Sequence, residues 1–124
     1  MLKNLLSGDK VRLILLWTIG IGLLVLLAYT VSRGPQIRIQ WTTESELDIV
    51  GFNLYRAESI DGDYQKINQE IIPPASDPML GGEHSYADTD VTFFTTYYYK
   101  LESVDRAGAS TQSNPITLRA LPLQ

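Results

Sequence analysis

Residues 13 to 31, LILLWTIGIGLLVLLAYTV, contain no charged side chain. Nineteen residues at ~1.5 Å each make a helix of ~28 Å, about the thickness of a bilayer's hydrocarbon layer. No other stretch of the chain is comparable, so the first expectation is a transmembrane helix over 13–31, flanked by a tail at 1–12 and a linker at 32–36. A secretory signal would have a shorter apolar core and a small-x-small cleavage site, which Thr30-Val31-Ser32 matches only weakly, and an uncleaved anchor is favoured.

Charge divides along the same line. Residues 1–12 carry three basic side chains (Lys3, Lys10, Arg12) against Asp9, a net of +2, whereas residues 32–124 carry seven basic against thirteen acidic, a net of −6. Basic flanks are retained inside, which predicts a single-pass protein of the cell membrane with a cytoplasmic amino terminus and an extracytoplasmic acidic domain. The same acidity argues against nucleic acid as a partner, because phosphate binding needs a basic patch.

Chemistry-bearing motifs are sparse. The chain has no cysteine, hence no disulfide or thiolate site, and its one histidine, His84, reads as an exposed loop residue rather than a base. No Gly-x-Ser-x-Gly elbow or phosphate-cradling glycine loop is present. Asp88 and Asp90 could suggest a cation site, but aspartates at a strand turn usually cap backbone amides. The expectation is a protein that is not an enzyme and has no cofactor and no metal.

Beyond the apolar run the pattern alternates. Ile37, Ile39 and Trp41 read as one strand and Phe52 and Leu54 as a second, followed by an Asp61-Gly62 turn and a strand at Tyr64 to Ile67. Pro73, Pro74, Pro78, Gly81 and Gly82 interrupt regular structure. Strands resume at Ser85-Tyr86, at 95–104, and at Ile116, Leu118 and Ala120, with turns at 88–90 and Ala107-Gly108. Six or so short strands without an amphipathic helix predict an all-β antiparallel sandwich.

The pieces IQWTTESELD, GFNLYRAES, DGDYQKIN, SYADTDV, TYYYKLESVDRAG and SNPITL occur in an order that resembles a bacterial fibronectin type III (immunoglobulin-like) domain, over residues 37–121, leaving a short tail at 122–124. The resemblance implies that Trp41 is the core tryptophan of its strand and that the Tyr97 hydroxyl bonds back to the chain. It also implies a first strand before Trp41, for which the interval from Val31 to Ile37 leaves little room, so that strand is expected to be missing or very short.

Such modules mostly act as spacers or binding surfaces. The expected function is that of a non-catalytic accessory subunit of a larger membrane complex, respiratory or photosynthetic assemblies being examples, with other integral membrane proteins and the lipid bilayer as partners. The alternative is a free-standing surface module for adhesion or carbohydrate binding. Expected partner contacts are Thr18, Gly20 and Gly22 on the helix, where Thr18 and Gly22 have small-xxx-small spacing, and Tyr55, Tyr98, Lys100 and Arg119 on an outer sheet face shared with Asn53, Glu102, Val104 and Thr117. Trp17 and Tyr29 are expected at the membrane interfaces, and the loop carrying Met79 and Leu80 is a second contact candidate.

Overall fold

The computed structural model describes residues 8–32 and 34–121; side chains at 8–11 and 29–32 are outside that description, as are residues 1–7 and the 122–124 tail. Two compact units meet between Gly34 and Pro35.

The first unit is one helix, α1 (Gly8–Ser32), continuous through Gly20 and Gly22. The side chains described on it, residues 12 to 28, are all exposed. Among the described residues no helix is long and apolar enough to cross a membrane. The expected 13–31 span is therefore not reached by what is described: the described side chains end at Ala28, and those of Tyr29, Thr30 and Val31 are not among them.

The second unit is all-β, with seven antiparallel strands in two sheets among the described residues: β1 (Ile37–Thr43), β2 (Ile49–Ala57), β3 (Gln65–Lys66), β4 (Gly82–Asp88), β5 (Thr96–Asp105), β6 (Ser110–Gln112) and β7 (Ile116–Arg119). One sheet is the pair β1-β4; the other runs β3-β2-β5-β6, with β7 also on β5. This arrangement is compatible with the expected sandwich of immunoglobulin-like type. The small sheet has only two strands among the described residues, and none precedes β1.

Alternation placed Ile37, Ile39, Leu54, Tyr97 and Tyr99 inside as expected, whereas Ile116, expected on the inward side of the last strand, is exposed. Ile37, Ile39, Leu54, Val91, Tyr97, Tyr99 and Ala120 form the buried core, with Trp41, Ile67, Ile72, Tyr86, Leu101 and Leu118 packed against it. Trp41 is half-buried rather than enclosed, with its ring edge-on to Phe52 at 5.7 Å between centroids. The Tyr97 hydroxyl oxygen accepts the Thr92 N–H at 3.0 Å, tying β5 to the loop before it. Gly51 follows an irregularity in the β2-β5 register, and a Cβ there would lie 2.5 Å from the Ile72 carbonyl oxygen. Its bareness lets residues 71–72 cross close enough for Phe52 and Ile72 to exchange backbone hydrogen bonds at 2.8 and 2.9 Å.

The sheets are joined at one edge by a polar hub. Asp88, at the end of β4, is 4% exposed. It accepts from the Arg56 guanidinium of β2 at 2.9 Å on both carboxylate oxygens and from the Tyr99 hydroxyl of β5 at 2.9 Å. Arg56 also reaches Asp90. Burial, then the Asp88 carboxylate, pushes the Tyr99 phenol far above its ordinary range. Asp88 and Asp90, weighed above as turn aspartates, both contact the Arg56 guanidinium, and Asp88 also accepts the Asp90 N–H at 3.2 Å.

Strand directions place Ile37, the start of β1, opposite Asp88, and Arg119, the end of β7, opposite Thr96. Both ends of the domain therefore open at the same end of the sandwich, together with the 89–95 loop. The loops 44–48, 73–81 and 106–109 lie at the other.

Asp88→Ala leaves the Arg56 guanidinium without its main partner and should cost about 3–5 kcal/mol, whereas Tyr97→Phe, losing one hydroxyl acceptor, should cost about 1 kcal/mol. Urea unfolding of the full chain in detergent, followed by tyrosine circular dichroism, gives both numbers. Equal losses at the two positions would contradict the hub's role.

Candidate functional site

The register assembles the expected outer face. Tyr55 lies opposite Lys100 and Ala57 opposite Tyr98 across β2-β5, while Tyr98 lies opposite Thr117 and Thr96 opposite Arg119 across β5-β7. Tyr55, Tyr98, Lys100 and Arg119 consequently share one side of the larger sheet.

The groups on this face are tied to one another. Glu102 accepts from the Asn53 amide at 2.8 Å and the Tyr55 hydroxyl at 3.0 Å. Asn68 donates to the Asn53 amide oxygen at 3.0 Å and accepts the Leu54 N–H at 2.8 Å. The Lys100 ammonium sits 4.1 Å from the centre of the Tyr64 ring, and Arg119 donates from Nε to the Phe94 carbonyl at 3.1 Å. Two expected outer residues depart from a solvated face: Asn53 and Glu102 are buried. The reason is the polar ladder itself: Asn68 bonds Asn53, and Asn53, Tyr55, Ser110 and Gln112 surround the Glu102 carboxylate. The Asn53 hydrogen bond above all, with Tyr55, Ser110 and Gln112, outweighs burial and holds the Glu102 carboxyl below its ordinary value. Burial, then Glu102, raises the Tyr55 phenol. What remains accessible is a half-buried platform of Tyr55, Tyr98 and Lys100, stiffened from beneath.

On α1, Thr18 donates its hydroxyl to the Leu15 carbonyl at 2.9 Å. Gly20 and Gly22 leave open space where a Cβ would stand. Trp17 is exposed.

A second cluster was not legible in the sequence. His84 is not an exposed loop residue: it belongs to β4, its side chain is 9% exposed, and its ring stacks on Trp41 at 5.1 Å and 12°. Its Nε2 lies 2.6 Å from Glu46 Oε1, and Glu46 is 1% exposed. Glu46 also accepts from the Thr43 hydroxyl and the Ala75 N–H, so one carboxylate fastens the 73–81 loop to the small sheet. Burial alone would raise the Glu46 carboxyl, but the Thr43, Ala75 and His84 contacts together hold it below its ordinary value. The cluster packs against Phe52, 5.0 Å from the His84 ring. No local pattern around Glu46 or His84 signals the contact, which joins residues 38 positions apart. Nearby, Met79 and Leu80 are strongly exposed, as is Leu47, so neither Met79 nor Leu80 plugs the end of the sandwich.

No family model matches the chain. It is 31% identical over 91 residues to an amylopullulanase of Thermoanaerobacter thermohydrosulfuricus; the match takes in 73% of this chain but 5% of the enzyme's length.

Because the Glu46 and Glu102 carboxyls are lowered by folding, they stabilise the domain above the ordinary value of 4.5, and that stability is lost as pH falls below it. Thermal unfolding should show midpoints falling steeply below about pH 4.5. Glu46→Gln should lower the midpoint near neutrality and flatten the acid slope. An acid slope identical to that of the unsubstituted chain would remove Glu46 from the explanation.

Proposed function

We propose that this chain is a non-catalytic, single-pass accessory protein: an apolar helix anchors it in the cell membrane, and a fibronectin type III-like domain outside presents a protein-binding face to an integral membrane partner. The observation that carries the reading is the run of exposed apolar side chains from Leu13 to Ala28, which water would penalise and lipid accepts. The fibronectin type III-like assignment is supported by the two-plus-five strand arrangement and by the Thr92–Tyr97 hydrogen bond. The non-catalytic reading is supported by the titratable groups of the domain, whose partners are chiefly one another: Glu46 with His84, Asp88 with Arg56, Glu102 with Tyr55.

The contact face is the Tyr55–Tyr98–Lys100 platform with Arg119, aromatic and basic groups held in place before binding, which lowers the ordering cost of association. Thr18 and Gly22, about one turn apart, offer a flat helix surface to a neighbouring helix, and Gly20 adds a second flat spot on another side.

A second reading draws on the amylopullulanase. A module resembling part of an enzyme named for amylose-type glucans and pullulan would bind such glucans, with Tyr55 and Tyr98 as stacking surfaces. In native gels containing pullulan or amylose, retardation of the full chain that Tyr55→Ser/Tyr98→Ser abolishes would favour this reading over the first.

The anchor is tested by alkaline carbonate extraction, in which the chain should stay with the membrane. Ile19→Arg/Leu23→Arg, at about 3 kcal/mol for each arginine near the helix centre, should release it. Release of the unsubstituted chain would refute the anchor. Protease added to intact spheroplasts should digest the domain, and protection of the domain would reverse the topology. Tyr55→Ser/Tyr98→Ser should weaken recovery of a stoichiometric partner in mild detergent while circular dichroism stays normal. Undiminished recovery would remove the platform from the partner contact.

A further inference from the structure

The two ends of the sandwich differ in how far the chain lets them stray. Ser32, the last residue of α1, and Ile37, the first of β1, are five residues apart, a reach of at most ~18 Å. Ile37 lies opposite Asp88, from which the 89–95 loop departs, so this loop belongs to the tethered end. Leu47, Met79 and Leu80, also exposed, lie at the far end, beyond the seven residues of β1.

The tethered end carries an aromatic tip. Phe93 and Phe94 are 37% and 60% exposed, with ring centroids 6.2 Å apart, and Leu121, which follows β7 at the same end, is exposed as well. Phe94 has a φ of 62°, in the left-handed region that glycine enters freely and a bulky side chain enters only under strain. Hydrogen bonds brace it there. The Phe94 N–H donates to the Ala120 carbonyl at 2.7 Å, and the Phe94 carbonyl accepts the Arg119 Nε–H at 3.1 Å. On the other side of the turn, the Thr92 N–H donates to the Tyr97 hydroxyl at 3.0 Å and the Thr95 N–H to the Thr92 carbonyl at 3.2 Å. Phe94 thus stands outward on a rigid base, at a cost in strain that its exposed ring does not recover by burial in the domain.

We propose that Phe93 and Phe94 form a lipid-contacting tip that seats in the headgroup and acyl boundary of the bilayer, an inference that rests on the anchor reading above. The tether names the occupant. With α1 in the bilayer, the short linker keeps the start of β1, and the 89–95 loop beside it, close to the membrane surface, whereas nothing holds the far end there. Tethering also makes the contact intramolecular, so two rings suffice where a free domain would need more. Charge does not draw the tip down. Glu58, Asp61 and Asp63, which follow the end of β2 opposite Tyr98, and Asp90 are exposed at this end, against Arg38 and Arg119. The contact is therefore made by the rings, and a zwitterionic bilayer accepts it without repelling the carboxylates.

The chain has no cysteine, so one introduced cysteine gives a single site for a nitroxide spin label. The full chain is reconstituted in phosphatidylcholine vesicles, and the label's collisions with oxygen, which concentrates in lipid, are compared with those of a water-soluble nickel chelate. At Phe93→Cys the oxygen-to-nickel ratio should be severalfold above that at Met79→Cys. Adding Phe94→Gly removes one ring and relieves the positive φ, so circular dichroism should stay unchanged while the ratio at 93 falls toward the value at 79. A ratio at 93 equal to that at 79, or one that Phe94→Gly leaves unmoved, would overturn the tip. So would spectral broadening at 93 that dilution with unlabelled chain removes, since a second copy would then be the occupant. Leu23→Cys reports the anchor separately. A low ratio there would refute the anchor, and the tether argument with it, whereas a high ratio there with a low one at 93 would refute the tip alone.

Discussion

The Asp88 carboxylate is the tie on which the β domain most depends. A sandwich of this size, without cysteine, has only packing and polar contacts to hold two sheets face to face. Asp88 joins β4 to Arg56 of β2 and to Tyr99 of β5, so a single buried charge spans both sheets and reaches the centre of the core. Desolvating such a group is costly, and here the cost is offset by one guanidinium nitrogen shared between both carboxylate oxygens and a phenol that donates to one of them. The Arg56 guanidinium also lies over the Tyr97 ring at 5.2 Å, so the ion pair and the aromatic core are one assembly.

What local spacing records was legible in the sequence. The alternation of Tyr97 and Tyr99 against Tyr98 and Lys100 predicted which side chains face inward, and register then set Tyr55 beside Lys100 as expected. The turns at Asp61-Gly62 and Ala107-Gly108 follow from residue types that tolerate tight backbone geometry. The His84–Glu46 contact joins residues 38 positions apart, and no periodicity in either segment encodes it. β6 was missed because three exposed polar residues, Ser110 to Gln112, carry no apolar pattern. Asn53 and Glu102 were assigned correctly to a face but wrongly to solvent, because what meets them, Asn68 at Asn53 and Ser110 and Gln112 at Glu102, depends on which segments run alongside, not on strand alternation.

The two faces of the larger sheet show how one strand serves two chemistries. Inward, β5 contributes Tyr97 and Tyr99 to a packed core; outward, it holds Glu102 under a lattice of amides and phenols. The hydrogen bonds of this lattice run among its own residues, Asn53, Tyr55, Asn68 and Glu102, and do not wait for a partner.

Because Ile37 and Arg119 lie at the same end of the sandwich, the domain behaves mechanically as a zipper and not as a rivet. Tension applied between these two residues would peel β1 from β4 and β7 from β5 one hydrogen bond at a time. Strands pulled from opposite ends must instead break many such bonds together, so a domain of this geometry yields at low force. Its shape suits a pendant that carries a surface to the side of the chain's path, and suits poorly a link that transmits load along it.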